Sequence, residues 1–285
     1  ARSHAVPGGA VLYVLRVVAS RPPEYVDAWD PHVAGVREVF HARFVDYAYP
    51  RHTHDAWTVL TVDAGAVRYA LDRRDHGIAG ALVSLLPPHV AHDGRAATAA
   101  GFTKRVLYLE PDVVDPGLIG RAVDRPTIAD PALAVAVRAL HDALRRGVPI
   151  LEADTRLALV AERLSAHLRG MPEPRRPHPA DPTLADAVRD VLDADPARAT
   201  TLADLAGAVG ASPTHVVRAF THRFGLPPHA YVVARRVDAA RRLLLAGRSP
   251  ADVAASVGFH DQPHLTRHFR RHVGTTPGRF RRHAA

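Results

Sequence analysis

The chain has 285 residues, 47% of them hydrophobic and 23% charged, which suits a globular protein with room for two cores. It has no cysteine, which excludes disulfides, thiolate metal sites and thiol redox chemistry. The net charge of +8 is uneven: from Thr183 onward 15 basic residues face 8 acidic ones, against 22 and 21 in the remainder, so a polyanion-binding half adjoins a nearly neutral one.

In chain order, the texture from Val11 to about Leu109 is that of short strands. The runs Val11–Val18, Val36–Phe44, Thr58–Val62, Val67–Leu71, Leu82–Leu86 and Arg105–Leu109 are separated by Gly, Pro, Asp and His clusters. Such spacing predicts a sandwich or barrel. The first run reads as a strand rather than a signal peptide, because Arg16 interrupts it and no small-residue cleavage pattern follows. No apolar run approaches the roughly 18 residues of a membrane-spanning helix. The expected compartment is the cytoplasm.

From Pro131 the period lengthens. Leu133, Val137, Leu140 and Leu144, then Leu157, Val160, Leu164 and Leu168 beyond the Gly147-Val148-Pro149 break, predict a helical hairpin. Its stripes either cover the sheet or pair with a second subunit, giving a homodimer. Residues 170–182 carry five prolines in 13 positions and read as an extended linker.

Beyond the linker the pattern is helical. Thr183, Thr200 or Thr201, Ser212-Pro213, Ser249-Pro250 and Asp261 are placed to start helices, and Gly225, Gly247 and Gly274 to stop them. The segment is also written twice. Arg218 and Arg267, Phe220 and Phe269, Gly225 and Gly274, Pro228 and Pro277, and Tyr231 and Phe280 are each 49 positions apart. A short helix, a Gly turn, a second helix and a Gly stop form a helix-turn-helix, here over about 202–224 and 250–273.

In the second helix of each copy, Val216 and Phe220, or Leu265 and Phe269, lie four apart and face the core. The opposite faces carry Thr214, Val217, Arg218 and Thr221, then Gln262, Thr266, Arg267 and Arg270. Arg suits a guanine edge, Gln an adenine edge and the Thr methyl a thymine methyl. Arg270, Arg271, Arg223 and His222 lie further along, where phosphates are the expected partners. A helix over Pro228 to Ala246 joins the copies, with a stripe of Val233, Val237, Ala240 and Leu244; Arg235, Arg236, Arg241 and Arg242 fall mostly on its other faces. At about 1.5 Å per residue it spans near 27 Å, approaching the roughly 34 Å between successive major-groove faces.

Residues 184 to 283 resemble the DNA-binding domain of the AraC/XylS family of bacterial transcription regulators. The resemblance is carried by LADLAGAVGASPTHVVRAF, by Tyr231, Arg236-Val237, Ala240 and Leu243-Leu244 in the joining helix, by Gly258-Phe259, and by Gly274 and Pro277. It implies double-stranded DNA as partner, with base contacts from Thr214, Val217 and Arg218 and from Gln262, Pro263, Thr266 and Arg267. Val217 and Pro263 cannot bond a base through their side chains. RNA polymerase is a further partner of such regulators.

The N-terminal half resembles the cupin-type effector domain common in that family, through Arg51-His52-Thr53-His54, Gly65, Gly80 and Pro87-Pro88-His89-Val90-Ala91-His92. The implied fold is α+β: a cupin-like β-barrel over 1–125, the hairpin over 126–170, a linker over 171–183 and an all-α domain over 184–285. Alternation puts His52 and His54 on one face, where His92 could join them. A divalent metal such as zinc, nickel or iron is one reading. An organic effector pocket including His52, His54, Trp57, His89 and His92 is another, and structural hydrogen bonding a third. Metal-binding cupins carry a Glu where Thr58 or Val59 stands here. The expected activity is therefore regulation by a small-molecule effector rather than catalysis, with a metal-sensing regulator or a cupin metalloenzyme as alternatives.

Overall fold

The computed structural model describes residues 23–170, 183–198 and 200–282. The run Val11–Val18 and the Pro-rich stretch 171–182 lie outside the described residues. Strands β1 (Tyr25–Trp29), β2 (Val36–Phe44), β3 (Ala48–His52), β4 (Trp57–Leu71), β5 (Arg74–Ala79), β6 (Val83–Leu86), β7 (His92–Ala96), β8 (Phe102–Leu109) and β9 (Thr127–Ile128) form the N-terminal half, with helix α1 (Ile119–Asp124) before β9. All pairings are antiparallel.

The runs Thr58–Val62 and Val67–Leu71 turn out to be one strand. The first half of β4 pairs with β6 and β8, its second half with β5 and β7. The register slips between Val62 and Ala64, next to Gly65, whose positive φ and close approach to the Gly101 carbonyl leave no room for a Cβ. Because one bent strand serves both layers, the sheet folds over on itself. The expected barrel does not close among the described residues: the path β1-β2-β8-β4-β6-β9 does not return, and β3, β5 and β7 hang from its side.

Helices α2 (Pro131–Arg146) and α3 (Ile150–Arg169) form the expected hairpin. Asp130 caps α2 by accepting from the Ala132 and Leu133 N–H groups, and Gly147 ends it in the left-handed region. The stripes of both helices share one core with Val39, Trp57, Val59, Leu85, Leu107 and Leu109, α2 lying on the sheet and α3 chiefly on α2. Each buried Leu or Val contributes about 1.5–3 kcal/mol.

The C-terminal half contains α4 (Leu184–Ala194), α5 (Leu202–Ala208), α6 (Pro213–Phe224), α7 (Pro228–Leu245), α8 (Pro250–Ser256), α9 (Gln262–Val273) and α10 (Pro277–Arg282). Thr183 and Thr201 close capping boxes with Asp186 and Asp204. The first helix-turn-helix packs Val188, Leu205, Val216, Phe220 and Tyr231 into one core. The second has no separate core. Val253, Leu265, Phe269 and Phe280 continue through Val237 and Leu244 into Phe40, Phe44 and Phe102 of the sheet. Phe40 faces this second core and Val39 the hairpin, so β2 is buried on both sides.

Candidate nucleic-acid interface and the histidine cluster behind it

The two reading helices are built alike. Ser212 accepts from the His215 N–H at 3.3 Å to start α6, and Asp261 from the His264 N–H at 2.7 Å to start α9. Burial of Val216, Phe220 and Phe224, and of Leu265, Phe269 and Val273, turns the opposite faces outward. Thr214, Arg218, Gln262, Pro263, Arg267 and Arg270 are exposed, Val217 and Thr266 partly so. Gln262, Pro263, Thr266, Arg267 and Arg270 line one shallow concavity. Thr221 is partly covered: its hydroxyl is buried without a hydrogen-bond partner and its carbonyl faces Arg73, while the residue lines a second shallow concavity with Val217 and Arg218.

The N-terminal half grips both helices at repeat-equivalent points. Arg73 donates to the Thr221 and His222 carbonyls at 3.4 and 2.9 Å. Tyr47 Oη lies 3.2 and 2.6 Å from the Arg270 and Arg271 carbonyls, 49 residues further on. The stop glycines repeat the relationship: a Cβ on Gly225 would meet the Arg51 guanidinium at 2.7 Å, and one on Gly274 would meet the Phe44 ring. Arg73 reaches out from the β4–β5 hairpin, where it and Asp72 both have positive φ. Neither Arg73 nor Tyr47 carries a recognisable sequence signal for this task.

Helix α7 lies against the sheet, and two of its arginines correct the sequence reading. Arg235 and Arg241 are buried rather than on outward faces. Arg241 donates to Glu38 from Nε at 3.0 Å and Nη2 at 2.5 Å. Burial opposes the Arg241 charge, but the Glu38 carboxylate outweighs it and raises the pKa well above the usual value. Arg235 pairs with Asp55 across the interface and with Asp238 at 3.2 Å on its own helix. Val233, expected in the buried stripe, is only partly covered.

Asp238, the only acidic residue of α7, meets the histidines. His52, His54 and His92 are buried, and one ring nitrogen from each lies within 4.8 Å of the others. His54 Nδ1 is 2.9 Å from Asp238 Oδ1, His52 Nδ1 is 2.7 Å from the Pro50 carbonyl and His92 Nδ1 is 3.0 Å from the Val90 carbonyl. Burial lowers the pKa of both His52 and His92, the latter to about 3, with the neighbouring rings adding to the effect. The geometry fits a metal: three imidazoles converge with their outer nitrogens already held.

Two other expected effector residues lie elsewhere. Trp57 belongs to the core instead. It is fully buried under the hairpin, and its indole N–H faces the Pro111 and Val114 carbonyls at 3.2 and 3.1 Å. His89, held at positive φ, hydrogen-bonds through Nδ1 with Tyr231 Oη at 3.3 Å. It borders a cleft of about 620 Å³ between the sheet and the first helix-turn-helix, together with Arg73, Val90, Ile119, Val123 and Phe224.

A sheet-rich domain carrying buried histidines, locked onto two basic helix-turn-helix modules, defines a DNA-binding transcription regulator with a ligand-binding domain. Family models agree in both halves: an AraC-like ligand binding domain matches residues 35–161 and a helix-turn-helix domain residues 205–283. The chain belongs to the AraC family of transcription regulators. It is 27% identical over 250 residues to the HTH-type transcriptional regulator YbfI of Bacillus subtilis, covering 83% of this chain and 87% of that one. It is 28% identical over 207 residues to the transcriptional activator NphR of Rhodococcus, covering 72% of this chain and 54% of that one. The crystal structure of ToxT from Vibrio cholerae superposes with a TM-score of 0.60 over 92% of this chain and 98% of that one, at 9% identity, so what is shared there is the fold.

Proposed function

We propose that this regulator reads an asymmetric DNA site with its two unlike helix faces, and that an effector bound by the N-terminal half sets how that half grips them. Thr214, Val217 and Arg218 meet one half-site, and Gln262, Pro263, Thr266 and Arg267 the other, with Arg270 on phosphate. The observation that carries the reading is the paired grip: Arg73 and Tyr47 hold repeat-equivalent carbonyls, so one domain fixes the relation between both helices.

The 620 Å³ cleft supports an amphipathic anion as effector, because Ile119, Val123 and Phe224 supply apolar walls while Arg73 and Arg189 add positive charge. Arg73 both lines this cleft and holds α6, so a ligand there acts directly on the grip. The working unit is a cytoplasmic homodimer paired through α3, whose Leu151 and Leu159 are 78% and 60% exposed on a helix whose buried stripe packs mainly on α2. RNA polymerase is the further partner on DNA.

Footprinting on the DNA flanking the protein's own gene tests the reading. Two protected segments about one helical turn apart are expected, changing in extent when the effector is present. A chain with no affinity for any such DNA at low salt would overturn it.

A further inference from the structure

We propose that His52, His54 and His92 bind one divalent transition-metal ion, and that Asp238, reaching in from α7, couples its occupancy to docking of the DNA-binding half. Each imidazole commits Nδ1 to a group that only accepts: the Pro50 carbonyl, the Asp238 carboxylate and the Val90 carbonyl. In the neutral rings the N–H therefore sits on Nδ1 and the lone pair on Nε2. The Nε2 atoms of His52 and His54 are 3.1 Å apart. Two buried lone pairs facing each other at that distance repel unless a proton or a metal cation lies between them, and a metal ion within reach of both turns the contact into an attraction. The separation is also close to the spacing of about 3.3 Å between two ligands of a tetrahedral ion with metal–nitrogen bonds of about 2.0–2.1 Å.

An all-imidazole set selects zinc, cobalt or nickel over magnesium or calcium. Two of the three anchors are local, since Pro50 and Val90 each lie two residues before the histidine they hold. The third is not. His54 takes its Nδ1 partner from α7, 184 residues away in sequence. An outer carboxylate orients a metal-bound imidazole and raises its basicity. Metal binding and docking therefore favour each other by linkage. His272 of α9 lies against the same cluster, its ring 6.1 Å from that of His52, outside the three-nitrogen set. The consequence for DNA binding rests on the regulator reading proposed above; the ligand set does not.

Full-length, metal-free protein titrated with Co²⁺ should develop a visible d–d spectrum that saturates at one equivalent per chain and is displaced by Zn²⁺. His52→Gln and His92→Gln should lose that spectrum while keeping the parent circular dichroism. Asp238→Asn should keep one-equivalent binding with affinity lowered about 10–100-fold. Docking is read separately. Because the chain has no cysteine, spin labels can be placed at Arg95→Cys and Ala255→Cys, both exposed. Zn²⁺ should narrow their distance distribution to one population, and should leave it unchanged when Asp238→Asn is added. A wild type with no saturable Co²⁺ spectrum, or a spectrum that survives both histidine changes, overturns the site. Stoichiometric binding without any change in the distance distribution overturns the coupling. Gel shifts with metal-free protein keep the two readings apart: DNA binding that persists there leaves the regulator standing even if the metal site fails.

Discussion

Arg241 and Glu38 form a two-point ion pair across 203 residues, joining the helix between the two DNA-reading modules to the second strand of the sheet. Both side chains are about 5% exposed, so neither charge is solvated once its partner is gone. Glu38→Ala or Arg241→Ala is expected to destabilise the protein by about 3–5 kcal/mol, through the uncompensated buried charge. The double change Glu38→Leu with Arg241→Met should recover most of that loss. Chemical denaturation of the single and double variants measures it, and additive losses would contradict the pairing.

The reading faces make a sharper distinction. Arg218→Ala and Arg267→Ala should each cost about 1–3 kcal/mol of affinity and relax specificity at one position of the site. Arg270→Ala should instead weaken all sequences alike and reduce the slope of log K against log salt by about 0.9. Fluorescence anisotropy over a salt series separates the two behaviours. Equal specificity loss for all three arginines would refute the division.

Tyr47→Phe removes the hydroxyl that holds the end of α9 without disturbing its stacking on Phe44. The expected cost is about 0.5–1.5 kcal/mol. Hydrogen exchange should quicken near Arg270 and Arg271, while the equivalent end of α6, held by Arg73, stays protected. Unchanged exchange at α9 would show that the grip is not maintained in solution.

Lys104 is the only lysine. Its Nζ lies 4.1 Å from the centre of the Tyr49 ring, and burial, aided by Arg241, lowers its pKa from 10.5 to about 7. Between pH 7 and 10.5 the unfolded chain therefore holds the proton more tightly than the folded one, so this group makes stability rise with pH over that window. Lys104→Met should be more stable than wild type at pH 6, with the difference shrinking toward pH 10. Thermal melts across that range check the sign, and a pH-independent difference would place the lysine charge in solvent.

Leu151→Lys with Leu159→Lys should leave the hairpin folded, because both side chains point away from Leu157, Val160 and Leu164. If α3 pairs with a second copy, sedimentation velocity will show a dimer for wild type and a monomer for the variant. A wild-type monomer at tens of micromolar would remove α3 as an interface.

The sequence by itself determined the elements whose signals are local. The caps at Thr201, Ser212 and Asp261, the stops at Gly225 and Gly274 and the stripes of α2 and α3 act within one or two turns, and they stand where the pattern put them. The 49-residue repeat likewise exposed both reading faces, because each face is the complement of a short apolar stripe. Polar strands such as β5 (RDHGIA) and β7 (HDGRA) gave no alternation to read. Tertiary structure decided the rest. Whether Arg241 faces water or Glu38, whether Trp57 lines a cavity or a core, and whether Asp238 meets His54 depend on partners 54 to 203 residues away or on which face of a strand is covered. A buried charge is stable only beside its counter-charge, and no local pattern specifies where in the chain that counter-charge lies.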